Sequence, residues 1–423
     1  MKRVLDGKKA TVLFLLCWVA YFSSYLGRLN YSSAMSSIMD DGVLTLSQAG
    51  LISMIYFFAY GGGQFCNGIL GDKLKPELMI FAGLFLSGIA NLLMGMVSVF
   101  PVMAVLWGIN GYTQSMIWPP VIRIFAEKFT YERKRKYSVD ITSSMAVGTL
   151  MSYFLSACAL KLFQWHAVFY LVAGILLCIS VVWIVGYRSI TQENGETEFY
   201  EKEAGKPARK IAMAGGRQSF GALLVRSGLI AIVFPVMIHG ILKDGITQWV
   251  PTYIYNSFDV SASFSVIITM ILPLINLSGA YLARFSSKRH PDQEVRTSAL
   301  FFGVATAALV GLYLFGSKQI VVTALLFAVI TASMMAVNTL YVNMIPLHFE
   351  ASGRVSTVSG FLNSVAYLGS AISTFTIGVM VEKAGWAATI ASWTVITGAA
   401  FAVCIWLKRK NLKIKTEKVN NKI

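Results

Sequence analysis

The strongest constraint on the fold is a series of long apolar blocks separated by short charged segments. Hydrophobic residues make up 56% of the 423 residues, and charged residues make up 13%. A helix that crosses a bilayer needs about 20 mostly apolar residues. The blocks that reach this length are residues 10–36, 47–71, 78–98, 102–126, 139–160, 164–187, 221–256, 260–284, 297–316, 319–347, 355–381 and 386–407. The sequence therefore predicts an all-α polytopic membrane protein with twelve transmembrane helices.

Lysine and arginine are distributed unevenly among the segments that join these blocks. The formal net charge is +16, and a nucleic-acid-binding protein would gather such charge on one surface. With the N-terminus in the cytoplasm, only Lys161, Lys318 and Lys383 fall on the outer side. Cytoplasmic loops of membrane proteins carry this excess of basic residues. We therefore expect a multi-pass protein of the cell (inner or plasma) membrane with both termini in the cytoplasm, whose partner is the lipid bilayer and no nucleic acid.

One long polar interruption divides the blocks into two sets of six. Residues 188–220 are rich in charge and glycine and poor in apolar residues, which is typical of a linker. The predicted organisation is an N-terminal six-helix bundle (1–187), a cytoplasmic linker (188–220), a C-terminal six-helix bundle (221–407) and a basic cytoplasmic tail (408–423). We expect the tail to fix the topology or to contact anionic lipid.

The reactive side chains form no pattern typical of a catalytic or metal site. The five cysteines lie in apolar blocks at unrelated spacings, and the four histidines are scattered. The sequence contains no Gly-x-x-x-x-Gly-Lys motif, no Gly-x-Ser-x-Gly motif and no pair of intramembrane carboxylates. We therefore expect no metal, no cofactor and no enzymatic activity.

Two cations lie deep inside apolar blocks. Arg28 lies slightly outward of the centre of the first block, and Lys243 lies at the centre of the seventh. An uncompensated charge at this depth costs at least a few kcal/mol, so intramembrane charges are rare and mark functional sites. Because the two positions correspond in the two halves, the sequence predicts that both cations bind one anion.

Polar side chains at helical spacing accompany the two cations. Phenolic hydroxyls donate hydrogen bonds to an oxyanion, so we predict that these side chains bind the anion as well. The alternative is that they hydrogen-bond neighbouring helices and stabilise helix packing. The candidates are Tyr21 and Tyr25 beside Arg28, Tyr60 and Gln64 in the second block, His239 one turn before Lys243, and Asn363 and Tyr367 in the eleventh block.

Asp244 directly follows Lys243 and is a candidate counter-charge. Side chains of adjacent residues on a helix diverge by about 100°. We therefore expect no direct Lys243–Asp244 pair unless the backbone is distorted. Gly240, Gly245 and Pro251 are positions at which a membrane helix bends or locally unwinds.

Five longer segments carry motifs that surround these residues. They are Tyr25-Leu-Gly-Arg28-Leu-Asn30, Asn67-Gly-Ile-Leu-Gly71-Asp72-Lys73, Gly111-Tyr-Thr-Gln-Ser-Met-Ile-Trp118-Pro119-Pro120-Val-Ile-Arg123, Leu242-Lys243-Asp-Gly-Ile-Thr-Gln-Trp249-Val-Pro251-Thr-Tyr253 and Gly360-Phe-Leu-Asn363-Ser-Val-Ala-Tyr367-Leu-Gly369. These motifs resemble those of one known family, the organophosphate:phosphate antiporter branch of the major facilitator superfamily. The resemblance covers nearly the whole chain, and its fourth-span motif is fairly specific.

The resemblance implies a fold and roles for particular residues. It implies two pseudo-symmetric six-helix bundles that rock around a substrate site near the bilayer midplane, with Arg28 and Lys243 as ligands of a phosphoryl group. Lys243 and Gln64 depart from the glycerol-phosphate transporters, which have an arginine and a lysine there, so a sugar acid competes with a phosphate monoester as substrate. The residues expected to have gating or structural roles are Asp72, Arg123, Trp118, Pro119 and Pro120, with Arg123 paired to Asp72 or Glu127.

Three classes of function remain open. The first is a secondary transporter, expected to be a monomer, that moves an organophosphate or related organic anion. Exchange, with inorganic phosphate as candidate counter-substrate, is favoured because a bound anion would neutralise two desolvated cations; proton-coupled symport of a sugar acid or other organic anion is the alternative. The second class is a transporter-like membrane sensor of a phosphorylated sugar. The third is an intramembrane enzyme, which no motif supports.

Overall fold

The chain is described by a computed structural model. The described residues are 2–5, 7–70, 74–130, 133, 136–137, 140–192, 198–201, 224–289, 293–346, 348 and 355–410. Over these ranges the chain is almost entirely helical, which confirms the predicted fold class. Nine helices among the described residues are long and apolar enough to cross a membrane. Most of the predicted linker and tail, together with Asp72, lies outside the described residues.

The helices of the N-terminal half follow the predicted blocks closely, since each apolar block ends where charged or turn-forming residues begin. They are α1 (Gly7–Asp40), α2 (Leu46–Leu70), α3 (Pro76–Met96), α4 (Phe100–Gln114), α5 (Trp118–Lys128), α6 (Thr142–Leu162) and α7 (His166–Gln192).

The fourth predicted span is interrupted in the structure. Helix α4 ends at Gln114, and α5 begins at Trp118 with Pro119 and Pro120 in its first turn. Proline has no backbone N–H, so it is tolerated in the first turn of a helix but disrupts the interior. The single helix expected over 102–126 is therefore two helices separated by a turn.

The helices of the C-terminal half are less regular. A 3₁₀ turn (Leu229–Ile232) precedes α8, and two π-helical segments (Ile241–Ile246 and Thr339–Met344) follow α8 and α13. The α-helices are α8 (Val233–Gly240), α9 (Thr247–Phe258), α10 (Ala262–Thr269), α11 (Ile271–Arg289), α12 (Glu294–Phe315), α13 (Ile320–Asn338) and α14 (Val355–Arg409). Gly385 interrupts α14 with φ 77° and ψ 176°, between the last two predicted blocks.

One short antiparallel ribbon accompanies the helices. Strand β1 (Lys2–Leu5) pairs with β2 (Glu198–Glu201), with Lys2 opposite Glu201 and Leu5 opposite Glu198. The β2 strand lies inside the predicted linker, where the low apolar content gave no signal for a strand.

The chain forms two compact units. Unit 1 comprises Met1–Ala204, Gln248–Pro273 and Thr374–Glu382. Unit 2 comprises Gly205–Thr247, Leu274–Ser373 and Lys383–Ile423. Unit 1 therefore combines the N-terminal half with two segments from the C-terminal half. The predicted domain boundaries stay a prediction.

The two late segments of unit 1 are hydrogen-bonded to α1 and α2. The hydroxyl of Ser32 donates to the carbonyl oxygen of Gln248 at 2.5 Å. At the start of α2, the backbone N–H and the hydroxyl of Ser47 both donate to the carboxylate of Glu382. A carboxylate at a helix N-terminus satisfies free N–H groups and interacts favourably with the helix dipole. These contacts explain why the segments cluster with the N-terminal half.

Helix crossings in unit 1 require glycine at specific positions, and Gly111 on α4 is a clear case. A Cβ atom at Gly111 would lie 2.4 Å from the carbonyl oxygen of Tyr56 on α2. Small residues allow this approach of two backbones in membrane proteins. We expect Gly111→Ala to lower the free energy of unfolding by about 1–3 kcal/mol, because the backbone of α2 must shift.

Gly174→Ala on α7 is the matched control, since an added Cβ there meets nothing within 4 Å. Thermal denaturation of the detergent-solubilised protein measures both variants. We expect a lower Tm for Gly111→Ala and an unchanged or higher Tm for Gly174→Ala, because alanine favours the helix. Equal Tm values for the two variants would contradict the close crossing.

Candidate anion-binding residues

Arg28 lies in α1 of unit 1 and is surrounded by aromatic rings. Its guanidinium carbon lies 5.9 Å from the ring centroid of Tyr25, 5.4 Å from that of Phe57 and 5.0 Å from that of Tyr60. A cation within about 6 Å of an aromatic ring is attracted by the ring's quadrupole. The rings therefore offset part of the cost of holding a half-buried cation in a membrane-spanning helix.

The structure brings Tyr25 and Tyr60 to Arg28 and adds Phe57, which sequence reasoning missed. Phe57 lies one turn before Tyr60 on α2 and is 4% exposed. Phe57 has an apolar ring and therefore is not part of the stripes of polar residues that the sequence shows. An aromatic residue three positions from Tyr60 was the available signal, because such residues share a helix face.

Tyr21 extends this cluster toward α5. Its ring lies 5.5 Å from the ring of Tyr25, edge to face, and 4.5 Å from the ring of Trp118. Trp118 is the first residue of α5, and Pro119 and Pro120 follow it. Tyr21 thus contacts both Tyr25, which lies beside Arg28, and Trp118, which follows the turn in the fourth span.

A buried polar network fixes α1 beside Arg28. The side-chain amide of Asn110 donates to the carbonyl oxygen of Gly27 at 2.8 Å. Ser87 donates to Asn110 Oδ1 at 2.6 Å, and Gln114 donates to the Ser87 hydroxyl at 2.9 Å. A Cβ at Gly27 would lie 2.8 Å from Gln114 Nε2, so it would displace the end of that side chain from the network. The network therefore ties α1 to α3 and α4 one residue before the cation.

Sequence reasoning also missed this network. Its members, which include Asn91 bonded to Asn30 at 2.7 Å, are buried and lie on different helices. Uncharged polar residues inside apolar blocks were the available signal. Their pairing could not be predicted, because it depends on which helices pack together.

Arg123 and Gln64 are the remaining predicted residues of unit 1 that the structure describes. Arg123 Nε lies 2.7 Å from Glu127 Oε1, and Arg123 Nη1 donates to the carbonyl oxygen of Leu74 at 2.8 Å. Arg123 therefore pairs with one of its two expected partners and ties α5 to the segment after α2. Gln64 is half-buried, one turn beyond Tyr60. The gating role of Arg123 stays a prediction.

Lys243 lies in the π-helical segment of unit 2 and pairs with Asp244. Lys243 Nζ lies 3.5 Å from Asp244 Oδ1, and the two side chains are 23% and 15% exposed. The sequence allowed a direct pair only where the backbone is distorted, and this π-helical segment is such a distortion. A π-helix has more residues per turn than an α-helix, so adjacent side chains diverge less. Gly240 directly precedes the distorted segment and Gly245 lies within it.

The other oxygen of Asp244 faces α14 within unit 2. Ser370 Oγ lies 3.0 Å from Asp244 Oδ2. Tyr367 and Asn363 lie three and seven residues before Ser370, so they share its helix face, and both are half-buried. The structure thus places these two predicted residues on the side of α14 that carries the Asp244 contact. Their role in binding stays a prediction.

His239 lies one turn before Lys243 and is fully enclosed. Its ring is 0% exposed, and Nδ1 lies 3.2 Å from the carbonyl oxygen of Val236. This position fits the helix-packing alternative as well as a role beside Lys243. Among the described residues, no three His, Cys, Asp or Glu side chains lie close enough to hold a metal ion.

Comparison with known proteins identifies the family. The sequence profile of the Major Facilitator Superfamily matches residues 17–374, well over half of the chain. The chain belongs to the Major Facilitator Superfamily. It is therefore a multi-pass membrane protein with the two-domain helical fold of that superfamily, as the sequence predicted.

Relatives of this superfamily member support the predicted branch. The chain is 22% identical to a Chlamydia trachomatis protein named "Probable hexose phosphate transport protein", over 88% of the chain and 85% of the relative. It is 24% identical to the glycerol-3-phosphate transporter of Bacillus subtilis (88% and 86% covered) and 23% identical to the membrane sensor protein UhpC of Escherichia coli (88% and 86% covered). These names confirm the organophosphate:phosphate antiporter branch.

A solved structure supports the fold of this superfamily member independently of sequence. A bacterial homologue of the human lysosomal transporter Spinster matches with a TM-score of 0.81 at 14% identity, over 98% of this chain and all of that chain. At this identity the similarity shows the fold alone.

We expect the polar network beside Arg28 to stabilise the protein. Asn110→Ala removes the donor to Gly27 and the acceptor of Ser87 in a buried region, so it should lower the free energy of unfolding by about 1–3 kcal/mol. Thr113→Val on the same helix is the control, because Thr113 donates only to the carbonyl oxygen of Asn110 in its own helix. A Tm for Asn110→Ala as high as that of Thr113→Val would contradict a stabilising network.

Proposed function

We propose that this chain is a secondary transporter that moves an organophosphate or a related organic anion across the cell membrane by alternating access. The observation that carries the proposal is a pair of cations, Arg28 and Lys243, in membrane-spanning helices of a Major Facilitator Superfamily protein. A cation in a membrane-spanning helix costs free energy, so its presence indicates a function, and binding of an anionic substrate is such a function. Both termini are proposed to lie in the cytoplasm, and the transporter is proposed to act as a monomer.

The surroundings of Arg28 suit a phosphate or carboxylate ligand. A guanidinium group presents N–H donors in a planar fork that matches two oxygens of either anion. The rings of Tyr25, Phe57 and Tyr60 lie 5.0–5.9 Å from the guanidinium carbon and help to stabilise the cation. Lys243 adds a second cation without the planar fork.

The relatives narrow the substrate class. Two of them are named for hexose phosphate and glycerol 3-phosphate, so phosphorylated sugars and polyols are the first substrates to test. Lys243 and Gln64 give this chain a weaker set of phosphate ligands than an arginine and a lysine would. Sugar acids with one negative charge are therefore the second group to test.

A sensor function is the second candidate. The chain resembles the membrane sensor protein UhpC to the same extent as it resembles the transporters. A sensor would bind a phosphorylated sugar without moving it in bulk. Binding without uptake in reconstituted vesicles would favour this candidate over transport.

Removal of the first cation should abolish ligand stabilisation. We expect glucose 6-phosphate or glycerol 3-phosphate to raise the Tm of the purified wild-type protein, because a ligand that binds only the folded state stabilises it. Arg28→Ala should lose this shift, whereas Lys161→Ala, which removes an exposed cation at the end of α6, should keep it. Neutral glucose should leave the Tm of all three proteins unchanged. Equal stabilisation of Arg28→Ala and wild type would remove Arg28 from the binding site.

Exchange should be faster than net uptake. We propose inorganic phosphate as the counter-substrate, because a bound anion neutralises the cations while the protein changes conformation. Proteoliposomes that are preloaded with phosphate should therefore take up the labelled sugar phosphate faster than empty vesicles. Vesicles without protein are the control, and equal initial rates in loaded and empty proteoliposomes would reject exchange.

A further inference from the structure

Asp244 places a carboxylate beside the cation that the proposed function assigns to the substrate. A substrate anion that approaches Lys243 meets a negative charge 3.5 Å from its ammonium group. Two anions that share one cation repel each other, and the repulsion is stronger where water is partly excluded. Asp244 and the substrate therefore compete for Lys243.

We propose that Asp244 is an internal counter-ion: it neutralises Lys243 when no anion is bound, is displaced from Lys243 by the substrate, and allows the unloaded transporter to return. This inference rests on the proposed function and specifies how its site handles charge. It predicts that net transport proceeds alongside exchange, so exchange is not obligatory.

The carboxylate is the fixed partner of the pair. Ser370 on α14 lies 3.0 Å from Asp244 Oδ2 and 3.1 Å from the carbonyl oxygen of Gly240. A Cβ at Gly240 would lie 2.0 Å from the carbonyl oxygen of Ala366, so the segment before Asp244 and α14 pack backbone to backbone. This contact, within unit 2, fixes the backbone just before Asp244 against α14.

The ammonium is the mobile partner of the pair. A lysine side chain has a flexible four-carbon stem, and its three donors are not fixed in one plane. At 3.5 Å from Asp244 Oδ1 the pair is longer than a tight charge-assisted hydrogen bond of about 2.7–2.9 Å. Lys243 can therefore leave the carboxylate for a substrate anion without moving the backbone.

Because the pair is largely buried, Lys243 needs a counter-ion even when no substrate is bound. Less than a quarter of either side chain is exposed, so an ammonium without a counter-ion would be poorly solvated. Removal of one member of such a pair costs more than the pair contributes, because the remaining charge stays desolvated. With Asp244 present, Lys243 is neutralised both before and after the anion binds.

The test compares Asp244→Asn with wild type in proteoliposomes, with labelled glucose 6-phosphate or glycerol 3-phosphate, whichever wild type transports. We expect the apparent affinity to rise about tenfold, within the range usual for two competing ligands. We also expect efflux into anion-free medium to fall about tenfold relative to exchange, because Lys243 is then uncompensated in the unloaded protein. Asp259→Asn is the control: Asp259 is exposed at the end of the same span and has φ 50°, which asparagine tolerates.

A second background separates charge competition from a structural role. In Lys243→Gln the cation is absent, so adding Asp244→Asn removes an unpaired carboxylate and should not reproduce the fall in net efflux relative to exchange. A structural role of Asp244 would instead reduce Tm and transport in both backgrounds. If Asp244→Asn does not fold, Ser370→Ala is the alternative variant: the carboxylate then loses a donor, pairs more tightly with Lys243 and lowers the apparent affinity.

The outcomes distinguish the inference from the proposed function. Wild-type protein that neither binds nor transports any of the anions would contradict the proposed function and the inference with it. The inference would be overturned, and the proposed function kept, if wild type transports the anion but Asp244→Asn leaves the apparent affinity or the ratio of exchange to net efflux unchanged. An affinity for Ser370→Ala that equals or exceeds that of wild type would also overturn it.

Discussion

The cost of holding a positive charge inside a membrane-spanning helix is the constraint on which the rest of the molecule depends. The protein meets this cost in two different ways. Arg28 lies among three aromatic rings, whose quadrupoles attract the guanidinium cation. Lys243 lies beside a carboxylate, which neutralises it directly. One cation is therefore stabilised in part by aromatic rings, and the other by a neighbouring carboxylate.

The backbone conformation also differs between the two cations. Near Arg28, α1 is regular and is fixed through Gly27 by a buried network on α3 and α4. Near Lys243, the helix changes to a π-helical turn that brings adjacent side chains together. π-Helical turns are rare and occur frequently at functional sites. The second cation thus depends on a local distortion, and the first depends on a rigid scaffold.

The sequence predicted the helices well because the bilayer requires apolar blocks of a minimum length. It also predicted the family and its branch, since the motifs around Arg28 and Trp118 are specific. It allowed the Lys243–Asp244 pair only if the backbone were distorted. Gly240 and Gly245 indicated where a distortion could occur, but the packing of Gly240 against Ala366 on another helix could not be predicted from the sequence. Phe57 and Asn110 were missed for the same reason, because their roles come from tertiary packing.

Equilibrium binding of labelled glucose 6-phosphate to purified Lys243→Arg and Lys243→Gln proteins tests the central claim most directly. The claim is that the intramembrane positive charge binds the anion. Lys243→Arg keeps the charge and adds a planar fork, so it should bind at least as tightly as wild type. Lys243→Gln removes the charge and should weaken binding by about tenfold or more. Binding of the Gln variant with wild-type affinity would contradict the claim.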